Sequence, residues 1–153
     1  MRYPEFLQDN GTIGFVAPSF GCATEPYYTA FQNALKNFHD MGFKTEIGPN
    51  CLVEQGVGIS NKPEICGAEL NEAYVDEVSD ILISCGGGEL MCEVVPYIDF
   101  AKIKEARPKW YMGFSDNTNF TFLSATLCDT AAIYGPCVAA FGMEPWHPSV
   151  KDA

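Results

Sequence analysis

The chain has 153 residues, 47% of them hydrophobic and 19% charged, a composition typical of one globular domain with a substantial core. Its 20 acidic and 9 basic residues give a formal net charge of −11, which argues against nucleic acid and anionic membranes as partners, because phosphate groups are bound by clusters of Lys and Arg. No apolar run approaches the ~20 residues that span a bilayer and residues 1–11 lack the apolar core of a signal peptide, so we expect a cytoplasmic protein.

Strand-like and helix-like patterns alternate from the N-terminus. The β-rich run at residues 12–19 ends in Pro and Ser and predicts a buried strand. Residues 25–40 predict a helix. Its apolar residues recur at helical spacing: Tyr28, Phe31, Leu35 and Phe38. Residues 43–49 then predict a short edge strand, and residues 50–62, which show no clear period, predict a loop.

The next segments repeat this order. A second helix is predicted from apolar residues on one face: Cys66, Leu70, Ala73, Tyr74 and Val78. Residues 80–85 predict a central strand that runs directly into three glycines, Gly86 to Gly88. Residues 89–106 then predict a short helix, a break at Pro96 and a second helical piece.

Two strands and one helix complete the pattern. Residues 109–115 predict a strand, and residues 131–136 predict a last short strand. The helix between them is marked by four residues on one face: Phe120, Leu123, Ser124 and Leu127. Five alternations of strand and helix predict a three-layer α/β/α fold with a mostly parallel, doubly wound sheet.

The last stretch differs from the rest of the chain. Residues 141–153 contain two prolines and show no periodicity. We expect them to be an exit segment toward a further, C-terminal domain. The predicted domain therefore covers residues 1–140.

The cysteines are numerous but lack the spacing of metal ligands. There are seven, an odd number, and no C-x-x-C pair occurs. With only two histidines in the chain, no zinc site is expected. Several cysteines stand in apolar runs, where a reduced cysteine acts as a small hydrophobic side chain, so we expect reduced and mostly structural thiols.

Three loops are expected to meet where ligands gather in an open parallel sheet, beyond the carboxyl ends of the strands. They are residues 17–21, 85–89 and 113–118. In the second loop, successive glycines permit positive φ angles and expose backbone N–H groups, which suits an oxyanion hole or an anion site. A simple tight turn explains the same glycines equally well. The loop is neither a Walker A loop nor a complete dinucleotide fingerprint.

Ser115 stands at the junction of the fourth strand and the following helix. Backbone N–H groups at the start of that helix would favour a developing oxyanion. The pattern is G-x-S-x-N, whereas the usual nucleophile elbow is G-x-S-x-G. Ser, Asp and Asn are also the preferred helix caps, so Ser115, Asp116 or Asn117 could simply begin the helix. Local sequence by itself favours the cap.

A serine nucleophile also requires a base, normally a histidine oriented by a carboxylate. His39 lies opposite the apolar face of its predicted helix, and His147 lies in the final stretch. Neither histidine is a persuasive partner for Ser115.

Five short motifs, in the same order, resemble the LD-carboxypeptidase family of serine peptidases, which includes murein tetrapeptide LD-carboxypeptidases and microcin-immunity peptidases. The resemblance extends over nearly the whole chain. The matching segments are Ala17–Ser19, Ala68–Asp76, Val94–Asp99, Gly113–Asp116 and Gly135–Pro136.

The resemblance implies a class I glutamine amidotransferase-like (flavodoxin-like) N-terminal domain followed by a C-terminal domain. It assigns the nucleophile to Ser115 and the oxyanion donors to the backbone N–H groups of Asp116, Gly87 and Gly88. Because three glycines are available, Gly86 could replace one of that pair. The family usually has an aromatic residue where this chain has Glu89.

The resemblance also implies an activity, namely hydrolysis of an L,D-amide bond such as that of the terminal D-Ala of murein tetrapeptides, in peptidoglycan recycling. The family's triad is Ser-Glu-His, with Glu and His in the C-terminal domain, so we expect the 153 residues alone to be inactive. No metal or organic cofactor is implied, and the full-length protein is expected to be a homodimer. Two alternatives remain: an immunity-type hydrolase of aminoacyl-nucleotide toxins, and a non-catalytic module that binds an acyl or anionic ligand.

Overall fold

The computed structural model describes residues 1–89 and 91–152, and its five strands form one sheet. The strands are β1 (Thr12–Val16), β2 (Lys44–Ile47), β3 (Ile81–Ser84), β4 (Trp110–Gly113) and β5 (Ile133–Tyr134). Their order is β2-β1-β3-β4-β5, and every neighbouring pair is parallel. This is the flavodoxin-like order. The α/β fold predicted from the sequence is thereby confirmed, with β2 at one edge and β3 in the centre.

The helices follow the strands in the predicted alternation. They are α1 (Tyr27–Asp40), α2 (Pro63–Val75), α3 (Met91–Val94), α4 (Phe100–Glu105), α5 (Thr118–Leu127) and α6 (Pro148–Lys151). Short 3-10 turns occupy Val95–Tyr97, Ser115–Asn117 and Val138–Gly142. No helix among the residues described is long and apolar enough to cross a membrane.

The sheet separates two hydrophobic cores. Along β1, Ile13 and Phe15 point to one face, where they pack with Phe31 and Phe38 of α1. The alternate residue Val16 points to the other face. There the core is completed by α2, α3, α4 and α5, through residues such as Leu70, Met91, Ile103 and Phe120. The two-residue period of the strands thus produces the three-layer arrangement.

One residue that the sequence assigned to the apolar face of α2 does not belong to that helix. Val78 lies beyond the end of the helix and its side chain is 60% exposed. The helix ends because the carboxylate of Asp76 accepts the N–H groups of Val78 and Ser79, at 3.0 and 3.1 Å. Such an Asx turn gives the backbone an alternative to another helical turn.

Two further core predictions are wrong for geometric reasons. In α5 the buried residues are Phe120 and Ser124, and the next position four residues on is Cys128, which is fully buried. Leu127 is therefore turned outward and is half exposed. Tyr28, in the first turn of α1, is also exposed, because the buried face of that helix begins at Phe31.

The chain after residue 140 packs against α1. Phe141 is buried, and its carbonyl accepts hydrogen bonds from Asn37 Nδ2 at 2.9 Å and Trp146 Nε1 at 2.7 Å. The sequence predicts no helix here, whereas the structure has a single turn, α6. The boundary at residue 140 and a domain beyond residue 153 remain predictions.

Candidate active site

Ser115 is the second residue after the end of β4 and has a left-handed backbone, with φ at +60°. Residues other than glycine rarely adopt this conformation, and it recurs at strained functional turns. Among the residues described, its hydroxyl makes no capping hydrogen bond, and its side chain is exposed. The side chain of Ser115 therefore does not cap the helix, and Ser115 remains a candidate nucleophile.

The glycine turn after β3 lies beside Ser115. A Cβ atom at Gly87 would lie 3.0 Å from the Cβ of Ser115 and 3.3 Å from its Oγ. Gly88 has φ at +127°, and a Cβ there would approach the carbonyl oxygen of Gly58 to 2.7 Å. A side chain at Gly87 would crowd Ser115, whereas Gly88 requires glycine for its backbone conformation.

Asp116 joins three loops through its side chain. Its Oδ2 accepts the hydroxyl of Ser19, after β1, at 2.5 Å, and the N–H of Met91, at the start of α3, at 2.7 Å. Its Oδ1 accepts the amide of Asn119 at 3.1 Å, within its own helix. The sequence suggests only a cap or a backbone donor here, so the carboxylate's contacts were not predicted.

Asn117 is fully buried between Ser115 and the glycine turn. Its Nδ2 donates to the carbonyl of Gly86 at 2.8 Å and to that of Phe114 at 3.1 Å. Its Oδ1 accepts the hydroxyl of Tyr111. A polar residue two positions after a candidate nucleophile was the available signal for this role, but the sequence does not show which loop it contacts.

Tyr134 is a second neighbour of Ser115 that the sequence did not single out. Its hydroxyl accepts the N–H of Ser115 at 3.3 Å. It lies at the end of β5, which is paired with β4, and its side chain is 65% exposed. The contact brings a hydroxyl oxygen to the backbone of the candidate nucleophile.

A cavity of about 640 Å³ opens beside the glycine turn and Phe114. Its walls are largely apolar and include Phe20, Tyr27 and Met143. Glu89 brings the charge to this lining. The cavity can therefore hold an apolar group beside the glycine turn, with the carboxylate of Glu89 in its wall.

The thiols in the cavity lining are neutral. Burial raises the pKa of Cys137 to about 11, and burial also raises the pKa of Cys85 well above its ordinary value. All seven cysteines are free, and six of them are buried. Protonated thiols are poor nucleophiles, so Ser115 is the better nucleophile candidate at this site.

Both histidines bind to groups elsewhere in the fold. His39, on the exposed side of α1, contacts Thr45 Oγ1 through Nε2 at 2.9 Å. His147 caps α6, where its Nδ1 accepts the N–H of Ser149 at 3.3 Å. Within residues 1–89 and 91–152, neither histidine is hydrogen-bonded to Ser115, and no cluster of three His, Cys, Asp or Glu side chains could hold a metal ion.

A buried carboxylate, that of Glu69, connects the segments that follow β1 and β2. Glu69 of α2 accepts the N–H of Ala17 and that of Asn50, each at 2.9 Å. Burial raises the pKa of Glu69, although these two hydrogen bonds act in the opposite direction. Glu69 thus ties the segment after β1 to the segment after β2.

The fold matches those of known proteins. Solved structures of the microcin C7 self-immunity protein MccF superpose with a TM-score of 0.83 at 25% identity, covering 91% of this chain and 41% of that one. An MccF-like protein from Bacillus anthracis str. Ames gives a TM-score of 0.85 at 22% identity, covering 95% and 43% of the two chains. The latter shows a shared fold.

Sequence comparison points the same way. A Treponema pallidum (strain Nichols) protein named "Putative carboxypeptidase" is 27% identical over 141 residues, which are 90% of this chain and 40% of that protein. The chain thus spans about two fifths of the length of the relatives it matches. Residues 13–135 match the model of the LD-carboxypeptidase N-terminal domain. The chain therefore belongs to the LD-carboxypeptidase family of peptidases, and it corresponds to the N-terminal domain of that family.

Proposed function

We propose that this chain is the nucleophile-bearing domain of a serine carboxypeptidase that hydrolyses an L,D-amide bond, such as that of the terminal D-Ala of murein tetrapeptides. The observation that carries the proposal is the left-handed Ser115, with its exposed hydroxyl next to Gly87. Membership of a peptidase family and the carboxypeptidase name of a relative support it. A cytoplasmic homodimer acting in peptidoglycan recycling is part of the same proposal.

The proposed reaction begins when Ser115 Oγ attacks the carbonyl carbon of the scissile amide and transfers its proton to a base. The backbone N–H groups of Asp116, Gly87 and Gly88 stabilise the negatively charged oxygen of the tetrahedral intermediate. The intermediate collapses as the amine takes a proton and leaves as the free D-amino acid. Water then hydrolyses the acyl-serine ester and regenerates the hydroxyl.

The base in this mechanism is a histidine oriented by a glutamate, both supplied by a second domain. His39 and His147 have hydrogen-bond partners elsewhere, on β2 and α6. The lengths of the relatives, of which this chain spans about two fifths, leave room for such a domain. The 153 residues alone are expected to have essentially no hydrolytic activity.

The cavity beside the glycine turn suits the part of a peptide that carries apolar groups or an ammonium group, and the terminal carboxylate of the proposed substrate would bind outside it. Its lining is largely apolar and includes Glu89, which would repel a carboxylate or phosphate bound nearby. The same carboxylate would attract the ammonium group of a peptide. No metal or cofactor is required by the proposed chemistry.

A second candidate function is hydrolysis of aminoacyl-nucleotide toxins, as in microcin immunity. It is favoured by the structural match to the microcin C7 self-immunity protein, one of whose solved structures is a complex with aspartyl sulfamoyl adenosine. A third candidate, a binding module without catalysis, would use the same loops to hold an acyl or anionic ligand.

The experiment that separates these functions uses the two-domain protein, meaning this domain followed by the proposed second domain. Release of D-Ala from an L,D-tetrapeptide is compared with hydrolysis of an aminoacyl sulfamoyl adenosine. Ser115→Ala is expected to abolish turnover and labelling by a serine-directed phosphonate, whereas the control His147→Ala should retain both. Unchanged turnover in Ser115→Ala would remove this serine from the mechanism. Efficient turnover by the 153 residues alone would refute the proposal that the catalytic base lies in a second domain.

A further inference from the structure

The glycine turn is fastened at two points by consecutive side chains. Asn117 binds the carbonyl of Gly86, and Asp116 binds the N–H of Met91. From these contacts we propose that Asp116, Asn117 and Ser19 are positioning residues: their side chains clamp the glycine turn against Ser115 and so fix the spacing and direction of the oxyanion donors. This inference rests on the proposed hydrolytic function of Ser115.

The first part of the clamp sets the distance between Ser115 and the glycine turn. One nitrogen, Asn117 Nδ2, donates both to Gly86 and to Phe114, the residue before Ser115. Asn117 is fully buried, and its Oδ1 is held by the hydroxyl of Tyr111. Because every polar atom of the amide is engaged, the side chain cannot rotate without breaking buried hydrogen bonds.

The second part of the clamp joins the two sources of donors. The N–H of Asp116 is one proposed donor. The carboxylate of the same residue binds the N–H of Met91 at the start of α3, the helix that follows the glycine turn in the chain. The hydrogen bond from Ser19 to this carboxylate, at 2.5 Å, has the short length of a charge-assisted contact. Ser19 is buried and the bond itself is partly buried, so salt screens it less than it screens a surface contact.

The direction of the donors follows from peptide geometry. In a trans peptide the C=O and the next N–H point in opposite directions. The carbonyl of Gly86 is held by Asn117, which turns the N–H of Gly87 away from Asn117. The carbonyl of Gly87 accepts the N–H of Phe20 at 3.0 Å, which turns the N–H of Gly88 away from Phe20. Donors fixed before the reaction need no reorganisation in the transition state.

A positioning role differs from a merely structural one in which kinetic or stability parameter changes when the residue is replaced. An oxyanion hole binds the charge that develops in the transition state, not the ground-state substrate. Loosening the clamp should therefore lower kcat and leave KM within about twofold. General loss of folded protein would instead lower the active fraction and the melting temperature.

The test uses Ser19→Ala, Asp116→Ala and Asp116→Asn in the two-domain protein. We expect kcat to fall by about 10- to 100-fold in the two alanine variants, less than the ~10²–10³-fold loss on deleting an oxyanion donor itself. Asp116→Asn keeps one oxygen acceptor for Met91 and should recover part of the loss. Asn117→Ala should be at least as impaired, but it leaves a buried tyrosine hydroxyl unpaired and could prevent folding, so the other variants carry the test.

Asn71→Ala is the matched control. Asn71 also bridges two backbone groups of another segment, donating to Tyr97 O at 2.9 Å and accepting Asp99 N–H at 2.8 Å, but it lies away from Ser115 on α2. It should leave kcat unchanged. Unchanged kcat in both Ser19→Ala and Asp116→Ala, or an equal fall in Asn71→Ala, would overturn the proposal.

A second measurement does not depend on turnover. In the 153-residue chain, the N–H of Phe20 donates to Gly87 O and the N–H of Met91 donates to the Asp116 carboxylate. Amide hydrogen exchange at these two residues should be faster in Ser19→Ala and Asp116→Ala than in the wild type, with exchange in β1 and β3 unchanged. If Ser115→Ala retained activity, the proposed function would fail, yet faster exchange would still support the clamp. Unchanged exchange at both Phe20 and Met91 would refute the clamp by itself.

Discussion

Replacing Lys109 by methionine tests whether the burial of an ion pair, and not the distance between its charges, determines its contribution to the free energy of unfolding. Lys109 stands at the start of β4, the strand that leads to Ser115, and its side chain is 1% exposed. Its Nζ donates to Ala73 O at 2.7 Å, Asp76 O and Asp76 Oδ1 at 3.1 Å, and Ser79 Oγ at 3.0 Å. It thus satisfies carbonyls at the end of α2 that have no partner within the helix.

The expected magnitude follows from these contacts. Removing one partner of a buried ion pair typically costs about 3–5 kcal/mol. Here Asp76 is one third exposed and keeps two backbone N–H donors, so we expect about 2–3 kcal/mol. For a chain of this length that lowers the melting temperature by roughly 5–10 °C. Methionine has a similar volume, so little of the loss would come from a cavity.

The assay is thermal and urea unfolding of the 153-residue chain, with Lys36→Met as the control. Lys36 pairs with Asp40 at 2.6 Å, a shorter distance than in the buried pair, but both side chains are largely exposed. Water and salt screen such a pair, so Lys36→Met should leave the unfolding midpoint almost unchanged. If Lys109→Met were equally harmless, or if the two variants lost equal stability, the reasoning from burial would be wrong.

Three further predictions concern the site. Gly87→Ala would bring a methyl group within 3.3 Å of Ser115 Oγ. It should lower kcat of the two-domain protein by about tenfold, with little change in melting temperature. Gly88→Ala places a side chain at a positive φ and should lower the melting temperature itself. Glu69→Gln, followed by urea unfolding against pH, should show the wild type's relative stability to be greatest at low pH. Because burial raises the pKa of Glu69 in the folded protein, that advantage should decline as the pH rises from the unfolded value of 4.5 through the folded pKa; the opposite slope would contradict it. Tyr134→Phe removes the acceptor of the Ser115 N–H, so amide exchange at Ser115 should accelerate, and an unchanged rate would exclude this contact in solution.

The order and type of the elements could be predicted because the patterns are local. Buried parallel strands such as β1 and β3 appear as continuous apolar runs, and α1 shows its buried face at helical spacing. The ends of the helices were less accurate. Val78 was assigned to α2 because its spacing fits, whereas the side chain of Asp76 stops the helix earlier.

Ser115 could be located from the sequence, because a parallel sheet brings every strand-to-helix junction to one edge. The interpretation of Ser115 as a nucleophile, and not as a helix cap, depended on the order of several motifs along the chain. The contacts of the clamp could not be predicted. Asp116 and Ser19 are 97 positions apart in the chain, and no periodicity indicates that their side chains meet.

By itself, the sequence determined the alternation of strands and helices, the site of the glycine turn and the family, since these depend on residue type and on spacing along the chain. Only the tertiary structure decided that the hydroxyl of Ser115 is uncapped in a left-handed turn and that Gly87, not merely one of three glycines, lies against it. It also decided that Asp116 and Asn117 face the neighbouring loops. The physical reason is that hydrogen bonds between loops depend on how the strands are ordered in the sheet, and that order follows from the packing of both cores together.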